Sequence, residues 1–237
     1  MTARVAHPVA RAGGKAETVR TLVRALGGRY STELGIDVDA GDAEVERWFV
    51  AATLFGTRIS AAVAARTFRV LDAAGLRRIS AARAMTWDDL VVLLDRGGYV
   101  RYDYRTATRL QTLAEVVDDR YGGSVAALAA SARSPAELMA ALDALPGWGD
   151  VTVSVFLREL RGVWRHAVPP VDGRAWSAAR HLHLARGAVP SLARLTSLAA
   201  DAAVDVRDLE SGLVRLTLSH GRDFETCPGG VVCTALG

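Results

Sequence analysis

The sequence predicts an all-α protein, and three features of the chain support this class. Apolar residues recur at spacings of three and four along most of its length, as the buried face of a helix requires. No stretch alternates between apolar and polar residues in the way that is typical of a strand. Serine, proline and glycine separate the periodic segments, as helix caps and turns do.

The apolar periodicity defines the helices, and cap and turn residues mark their ends. The cap and turn residues that mark these boundaries are Ser60, Ser80, Ser134, Pro135 and Gly187. In chain order the predicted helices are 17–26, 43–54, 61–74, 86–95, 104–121, 135–144, 150–164, 173–186, 191–203 and 206–220.

Length and composition narrow the class of protein further. With 237 residues, 50% of them hydrophobic, the chain is long enough for one or two domains with their own cores. No apolar run reaches the ~18 residues of a membrane span, because arginine or aspartate interrupts each candidate. Residues 1–16 lack a continuous apolar stretch, which predicts a disordered tail rather than a signal peptide. We therefore expect a cytoplasmic protein without membrane contact.

The basic residues are almost all arginines, and they are unevenly distributed. The formal net charge of +3 and the pI near 9.2 are compatible with DNA binding without requiring it. Residues 145–186 hold six arginines and three carboxylates, so this segment carries an excess of positive charge. A basic surface for nucleic acid is one explanation, and an ordinary solvated helix face is the alternative.

A short glycine-rich turn between two predicted helices is the most informative motif. Residues 145–149 read Leu-Pro-Gly-Trp-Gly and lead directly into the predicted helix 150–164. Gly147 and Gly149 lack a Cβ, so the backbone can approach a phosphate oxygen closely. The helix start near Val151 and Thr152 offers unpaired N–H groups and the positive end of the helix dipole. The alternative is an ordinary turn between two helices.

A single carboxylate follows this turn at the start of the next helix. Pro169 and Pro170 cannot continue a helix, and Asp172 then precedes the predicted helix 173–186, which begins with Gly173 and Arg174. Aspartate is a favoured N-cap, so Asp172 has a structural explanation. A catalytic carboxylate at the same position would cap the helix as well.

Together these two motifs resemble the signature of the helix-hairpin-helix DNA glycosylases. Val171, Asp172 and Gly173 are similar to the adenine-excising branch, whereas the endonuclease III branch usually reads Val-Asp-Thr-His at this place. The resemblance covers about residues 43–222 and implies a two-lobed helical fold. It implies a six-helix barrel over 38–164 that ends in the hairpin, and a second lobe from 17–37 and 165–237 that carries Asp172. DNA would enter between the lobes and bind through Gly147, Trp148, Gly149, Val151, Thr152 and Arg174.

An earlier segment resembles the family's DNA-inserting turn but departs from it. Residues 46–60 match a buried helix that runs into this turn, where Phe55 and Gly56 stand and the family's glutamine is missing. Phe55 is an apolar wedge in one interpretation and a core residue in the other. The acidic residue that adenine-excising relatives carry in this helix has no counterpart. Tyr99 and Trp176 are candidate walls of a base pocket, with core packing as the alternative.

The chemistry that the resemblance implies is limited by a missing amine. A glycosylase with lyase activity needs an unprotonated amine to form a Schiff base with the sugar. In the lyase branch this amine is a lysine two residues after the second hairpin glycine, and here that position is Val151. Lys15, the only lysine in the chain, lies in the predicted tail. We therefore expect a monofunctional enzyme in which water attacks the sugar.

The cysteines also depart from the family. Many relatives end in a four-cysteine loop that binds a four-iron, four-sulfur cluster, and here Cys227 and Cys233 resemble only its final pair. Two thiolates cannot complete such a site, so we expect no iron cluster, no cofactor and no bound metal. Free thiols or a local redox pair are the expected states. A zinc site would need His220 and a fourth ligand, and the spacing matches no common zinc pattern.

Two functions from different classes follow from these observations. The first is a monofunctional DNA glycosylase of base excision repair that acts, as a monomer, on a flipped damaged or mismatched base in double-stranded DNA. In it, Asp172 would stabilise the developing charge on the sugar. The second is a non-catalytic helix-hairpin-helix protein that recognises DNA structure. The sequence does not indicate which base would be excised.

Overall fold

The computed structural model describes residues 12–56, 59–221, 224 and 226–236 of the chain. These residues form α-helices and short 3-10 turns, and none of them belongs to a β-strand. The predicted all-α class is thereby confirmed. No helix in this part of the chain combines the length and the apolar character that crossing a bilayer requires.

The chain divides into two compact units, and each has its own apolar core. The continuous unit comprises residues 30–169, and the discontinuous unit comprises residues 1–29 and 170–237. The sequence places the corresponding boundaries at 38 and 164. Tyr30, Leu34 and Ile36 lie in the core of the continuous unit, so the segment that precedes residue 38 belongs there.

The continuous unit is built around one helix that is buried on every face. Residues 48–54 of this helix are buried without interruption, which is the pattern of a central helix rather than of an amphipathic one. The helices of the unit are α2 (Tyr30–Glu33), the central α3 (Asp42–Phe55), α4 (Ala61–Ala73), α5 (Trp87–Gly97), α6 (Asp103–Tyr121), α7 (Val125–Ser131), α8 (Pro135–Asp143) and α9 (Asp150–Glu159).

Two of these helices, α2 and α7, were not predicted, and a carboxylate far away in the sequence accepts from the N-terminus of each. Helix α7 also has a local cap, because Ser124 accepts from the N–H of Ala127 at 3.2 Å. The fully buried Glu159 accepts hydrogen bonds from the backbone N–H groups of Tyr30 and Ser31, at 2.8 and 2.9 Å. Glu46 accepts one from the N–H of Val125 at 2.7 Å. Both carboxylates satisfy donors that a helix leaves unpaired in its first turn. No local pattern in 30–33 or 125–131 could reveal these partners.

The discontinuous unit packs its helices around α12. The helices are α1 (Ala12–Leu26), α10 (Gly173–His181), α11 (Leu192–Ala202) and α12 (Val206–His220), and each of the first three contacts α12. Gly212 lies where α12 meets the end of α1. A Cβ at this position would lie 3.1 Å from the carbonyl oxygen of Gly27, so glycine permits the close approach of the two segments.

The first helix begins earlier than the sequence predicts, so the predicted tail is wrong for residues 12–16. Ala16 and Val19 are buried against the helices of the discontinuous unit. The hydroxyl of Thr18 also donates to the carbonyl of Gly14 at 2.8 Å. Tertiary packing thus extends α1 through a glycine-containing segment that has low intrinsic helix propensity. Residues 1–11 of the predicted tail lie outside the described part of the chain.

Two predicted helices end earlier than expected, because residues with positive φ redirect the backbone. Helix α9 ends at Glu159 rather than at residue 164, and Gly162 follows with φ +81°. Helix α10 ends at His181 rather than at residue 186, and His183 has φ +57°. The N–H groups of Leu184 and Ala185 then return to the carbonyl of Ala179. No proline marks the end of either helix, and the apolar periodicity continues past it. The sequence pattern therefore did not indicate where these two helices end.

Replacing Glu46 by glutamine should stabilise the fold at neutral pH. Burial raises the pKa of Glu46, and the hydrogen bond from Val125 and the charge of Arg78 offset this only in part. The folded state therefore binds the proton more tightly than the unfolded chain, so its relative stability falls as pH rises through the folded-state pKa. Glu46→Gln keeps an acceptor for Val125, and thermal unfolding at about pH 7 should show a Tm above that of the wild type.

Glu115→Gln, an exposed change on α6, provides the matched control and should leave the Tm unchanged. The wild type should also gain stability relative to Glu46→Gln as the pH is lowered from about 7 to about 5. A Glu46→Gln protein that unfolds at a lower temperature than the wild type at neutral pH would contradict this interpretation.

Candidate nucleic-acid interface and candidate catalytic aspartate

The hairpin between α8 and α9 is a tight turn with the residue pattern of a type II β-turn. The N–H of Trp148 donates to the carbonyl of Leu145 at 3.0 Å, which closes the turn. Pro146 and Gly147 occupy the two central positions, and Gly147 has φ +77°. Proline pre-sets the first central position and glycine accepts the positive φ of the second. The local sequence therefore specifies this turn.

The two hairpin glycines have different environments. A Cβ on Gly147 would collide with the aliphatic part of Arg109, so the missing side chain faces the interior of the unit. Gly149 has φ −169°, an extended conformation that any residue adopts. A Cβ there would meet only Asp143 Oδ1, at 4.0 Å, and otherwise open space. Gly147 is exposed and Gly149 is half-buried, so the backbone of both glycines is accessible, whereas only Gly149 has open space for a side chain.

The start of α9 presents an uncapped helix terminus. Gly149 is the N-cap residue and has no side chain that could accept from the first-turn N–H groups. Val151, in the first turn of α9, is 50% exposed and therefore lies at the surface of the hairpin. Asp150 is also exposed in the first turn. Its charge favours the helix terminus but opposes a bound phosphate, so the groups that favour binding here are the backbone donors.

Trp148 and Thr152, which the sequence assigned to DNA contact, have buried side chains. Trp148 stacks on Phe49 with ring centroids 4.5 Å apart, and its indole N–H donates to the hydroxyl of Thr53 at 3.2 Å. Thr152 is 3% exposed and lies against Gly56, where any Cβ would overlap its hydroxyl. Both side chains anchor the hairpin to the end of α3, and only their backbone remains available for a phosphate.

The segment predicted to insert into DNA therefore lies next to the hairpin within the continuous unit. Gly56 caps the end of α3 directly against the first turn of α9. Phe55 is half-buried, and its ring lies 4.8 Å from that of Tyr30 and 6.2 Å from that of Trp48. These contacts assign Phe55 a packing role and leave part of its ring at the surface. Thr57 and Arg58, which complete this segment, lie outside the described residues.

Arg109 beneath the hairpin is a residue that sequence reasoning missed. Its stem supports Gly147, and its Nη2 donates to the carbonyl of Thr53 at 3.4 Å. Burial lowers the pKa of Arg109, and the neighbouring Tyr99 offsets this in part. Among the described residues its Nε has no hydrogen-bond partner. An arginine within α6 gives no sequence signal for this role, because Gly147, which it supports, is 38 residues away.

The two predicted pocket aromatics are core residues. Tyr99 is fully buried, and its hydroxyl donates to the carbonyl of Leu54 at 2.9 Å. Trp176 is 4% exposed, and its indole N–H donates to the carbonyl of Gly187 at 3.1 Å. Core packing, the alternative explanation for both residues, agrees with this burial. Neither ring offers a solvent-exposed face on which a base could stack.

Asp172 caps α10 in the discontinuous unit. Its Oδ1 accepts from the N–H of Arg174 at 2.7 Å, and Arg174 itself is exposed in the first turn. The buried Glu210 on α12 accepts from the backbone N–H of Asp172 at 3.2 Å. The carboxylate of Asp172 is half-buried and has a fixed position, because both its backbone and one of its oxygens are hydrogen-bonded. Glu210 was not identified from the sequence, since nothing near it marks this partner.

The C-terminal segment brings both cysteines together with two histidines. His181, His220, Cys227 and Cys233 place their nitrogen and sulfur atoms within 4.8 Å of one another. Burial raises the pKa of Cys227, but hydrogen bonds lower it by more, to about 6. The backbone of Gly229 and Thr234 contributes most of this lowering, and the side chains of Thr234 and His181 contribute less. From the sequence we expected no metal site, because no fourth ligand was evident beside His220, Cys227 and Cys233. In the structure His181 is the fourth group of the cluster.

No protein-family model matches the chain, and no curated protein is significantly similar to it.

Alanine at the two hairpin glycines should separate folding from binding. Gly147→Ala forces a side chain into positive φ and onto Arg109, which should cost roughly 2–4 kcal/mol of unfolding free energy, or about 5–15 °C in Tm. Gly149→Ala should leave the Tm within a few degrees, because its Cβ points into open space. Differential scanning calorimetry of both variants provides the comparison.

The same variants also test DNA contact at the hairpin. If DNA phosphates approach the backbone of Gly149, a Cβ there should weaken binding to duplexes of every sequence alike, because phosphate contacts read no sequence. Fluorescence anisotropy at fixed salt measures this effect. Wild-type affinity in a stably folded Gly149→Ala protein would show that this face of the hairpin does not touch DNA.

Proposed function

We propose that the protein is a monofunctional DNA glycosylase of the helix-hairpin-helix superfamily. The observation that carries the proposal is the packing of Gly56 against Thr152, which joins the predicted inserting segment and the predicted hairpin on one part of the continuous unit. In the sequence these segments are almost 100 residues apart. Their association is what an enzyme needs if one turn holds the phosphates while its neighbour distorts the base stack.

Asp172 is the proposed catalytic residue. Cleavage of an N-glycosidic bond builds positive charge on the sugar, and a fixed carboxylate stabilises this charge without having to reorient. Hydrogen bonds to Arg174 and Glu210 hold the carboxylate and its backbone in place. The carboxylate of Asp172 is the group proposed to stabilise the sugar or to orient the attacking water.

The proposed substrate is double-stranded DNA with a damaged or mismatched base, and the proposed setting is the nucleoid in the cytoplasm. We propose a monomer as the active form. Arg158 and Arg161 are buried, so any salt-dependent affinity for a duplex would come from the four exposed arginines of 145–186, which are Arg165, Arg174, Arg180 and Arg186. Recognition of the lesion would then depend on the lower cost of extruding a weakly paired base.

One observation favours the second candidate, a non-catalytic protein that binds DNA structure. Trp148, Tyr99 and Trp176 are all buried in a core, so none of them supplies a stacking surface for a flipped base. A glycosylase pocket would need other apolar or aromatic walls. An assay for turnover distinguishes the two functions directly.

The excision assay uses duplexes that contain uracil, 3-methyladenine, 8-oxoguanine or a thymine mismatch, followed by alkaline cleavage of abasic sites. Asp172→Asn should retain the helix cap, bind DNA within a few-fold of the wild type and lose about 10²–10³-fold or more in single-turnover rate. Asp172→Ser keeps a capping oxygen and should behave in the same way. The wild type should cleave at least one of these substrates.

A cap of α11 in the same unit provides the matched control for helix capping. Ser191 accepts from the N–H of Arg194 at 3.2 Å, and Ser191→Ala should cost about 0.5–2 kcal/mol without reducing the excision rate. If Asp172→Asn excises as fast as the wild type, Asp172 is only a helix cap. If the wild type binds DNA but cleaves none of the substrates, the non-catalytic function is the better explanation.

Borohydride should trap no covalent complex between the wild-type protein and abasic DNA, because Val151 stands where a lyase would carry its amine. Val151→Lys introduces an amine at this half-exposed position and should gain a trapped adduct, visible by denaturing electrophoresis. Lys15→Arg removes the only lysine and serves as the control. An adduct formed equally well by the wild type and by Lys15→Arg would contradict the monofunctional mechanism. Failure of Val151→Lys to form one would place Val151 away from the sugar.

A further inference from the structure

The end of α10, the end of α12 and the C-terminal loop converge on one cluster of side chains. His181 is the last residue of α10 and His220 the last residue of α12. Cys227 and Cys233 lie on either side of a short 3-10 turn, Gly230–Val232. One nitrogen or sulfur atom from each of the four residues lies within 4.8 Å of every other. Because three separate segments contribute these residues, their proximity does not follow from closeness in the sequence alone.

The distances in this cluster are suited to one metal ion. In a tetrahedral zinc site, bond lengths of about 2.0–2.1 Å to nitrogen and about 2.3 Å to sulfur separate the ligand atoms by roughly 3.4–3.8 Å. A contraction of the cluster by about 1 Å would therefore give zinc geometry. Polynuclear iron–sulfur clusters separate their ligands further, because the ligands bind different irons. The cluster is too small for that arrangement.

One imidazole nitrogen of the cluster lacks a hydrogen-bond partner in the described part of the chain, which a bound metal would explain. His181 Nε2 is buried and has no hydrogen-bond partner among the described residues. His220 Nε2 lies 3.1 Å from the Sγ of Cys233, and both residues are buried. Buried polar atoms normally have partners, so an orphaned imidazole nitrogen beside two thiols needs an explanation.

The surroundings cover part of the cluster and bring the loop close to it, while His181 and Cys227 remain half-buried. The ring of Phe224 lies 4.5 Å from that of His181 and 5.0 Å from that of His220, so it covers both imidazoles with apolar surface. Gly229 has φ +69°, and any Cβ there would collide with the carbonyl oxygen of His181. Glycine at this position therefore lets the loop reach the end of α10.

We propose that His181, His220, Cys227 and Cys233 bind one structural zinc ion. Two imidazoles and two thiolates favour zinc over harder cations such as Mg²⁺ and Ca²⁺. All four positions are filled by protein atoms, as in a structural rather than a catalytic site. Binding would displace any remaining thiol protons and tie the C-terminal loop to α10 and α12. This inference does not depend on the proposed glycosylase function.

The first test is the metal content of the full-length protein purified without chelators. Elemental analysis should give about one zinc per chain and no stoichiometric iron or sulfide. Replacement of zinc by Co²⁺ should produce the intense visible bands of a tetrahedral site and thiolate-to-cobalt charge transfer. An iron–sulfur chromophore, or a Co²⁺ spectrum without thiolate bands, would overturn the proposal.

Two neighbouring histidines provide a matched pair of variants. His183 is exposed, two residues after His181, and lies outside the cluster; its φ of +57° is tolerated by asparagine. His181→Asn should weaken zinc binding more than 100-fold, beyond the roughly 10–100-fold effect of losing an outer-shell partner. His183→Asn should bind within a few-fold of the wild type. Competition with a chromophoric chelator measures both, and equal affinities would refute the assignment of His181.

A measurement on the wild type covers the case in which His181→Asn fails to fold. Apo protein prepared under reducing conditions is treated with a thiol-alkylating reagent, with and without added Zn²⁺. Zinc should slow modification of Cys227 and Cys233 together, and mass spectrometry of the peptides reports each site. Unchanged alkylation rates at saturating zinc would overturn the site. None of these readouts involves DNA, so their outcome is independent of the excision assay.

Discussion

The burial of α3 on all of its faces is the constraint on which the continuous unit depends. A helix of this kind has no solvent side, so every neighbouring helix must supply a complementary surface. Trp48 and Phe49 meet α9 through Phe156, and the carbonyl of Leu54 receives the hydroxyl of Tyr99. The end of α3 consequently determines where the hairpin lies. Its position follows from core packing rather than from the hairpin's own sequence.

This constraint also changes the explanation of the hairpin motif. The residues that make the motif recognisable divide into two groups. The Trp148 side chain and the Cβ direction of Gly147 point into the unit, whereas Val151 and the Cβ direction of Gly149 point outward. A motif that anchors one part in a core can hold its other part rigidly at the surface, and rigid backbone donors lose little entropy when an anion binds. The buried tryptophan thus favours the proposed phosphate contact, although its ring touches no ligand.

The sequence was sufficient for the helical class and for most helices, because periodicity and local caps are properties of short windows. Ser60, Ser134 and Ser191 each accept from an N–H three residues later, as a local cap does. Most of the failures have non-local causes, although Ser124 is a local cap of α7 that was missed. Helices α2 and α7 rely on Glu159 and Glu46, which are 129 and 79 residues distant. The burial of Tyr99 and Trp176, and the supports given by Arg109 and Glu210, are likewise tertiary properties.

The cysteine cluster shows how an error in a helix boundary can conceal a site. A helix drawn from 173 to 186 places His181 in its interior, where nothing singles it out. In the structure α10 ends at His181, and the chain turns through the positive φ of His183.

Helix α10 has only nine residues, and helices this short are marginal unless both ends are held. Asp172 and Glu210 hold its N-terminus, and the histidine–cysteine cluster meets its C-terminus. The same short helix therefore carries the proposed catalytic carboxylate at one end and the proposed zinc ligand at the other. A metal at the C-terminal end would restrain the end of α10 opposite to Asp172, even though it takes no part in the chemistry.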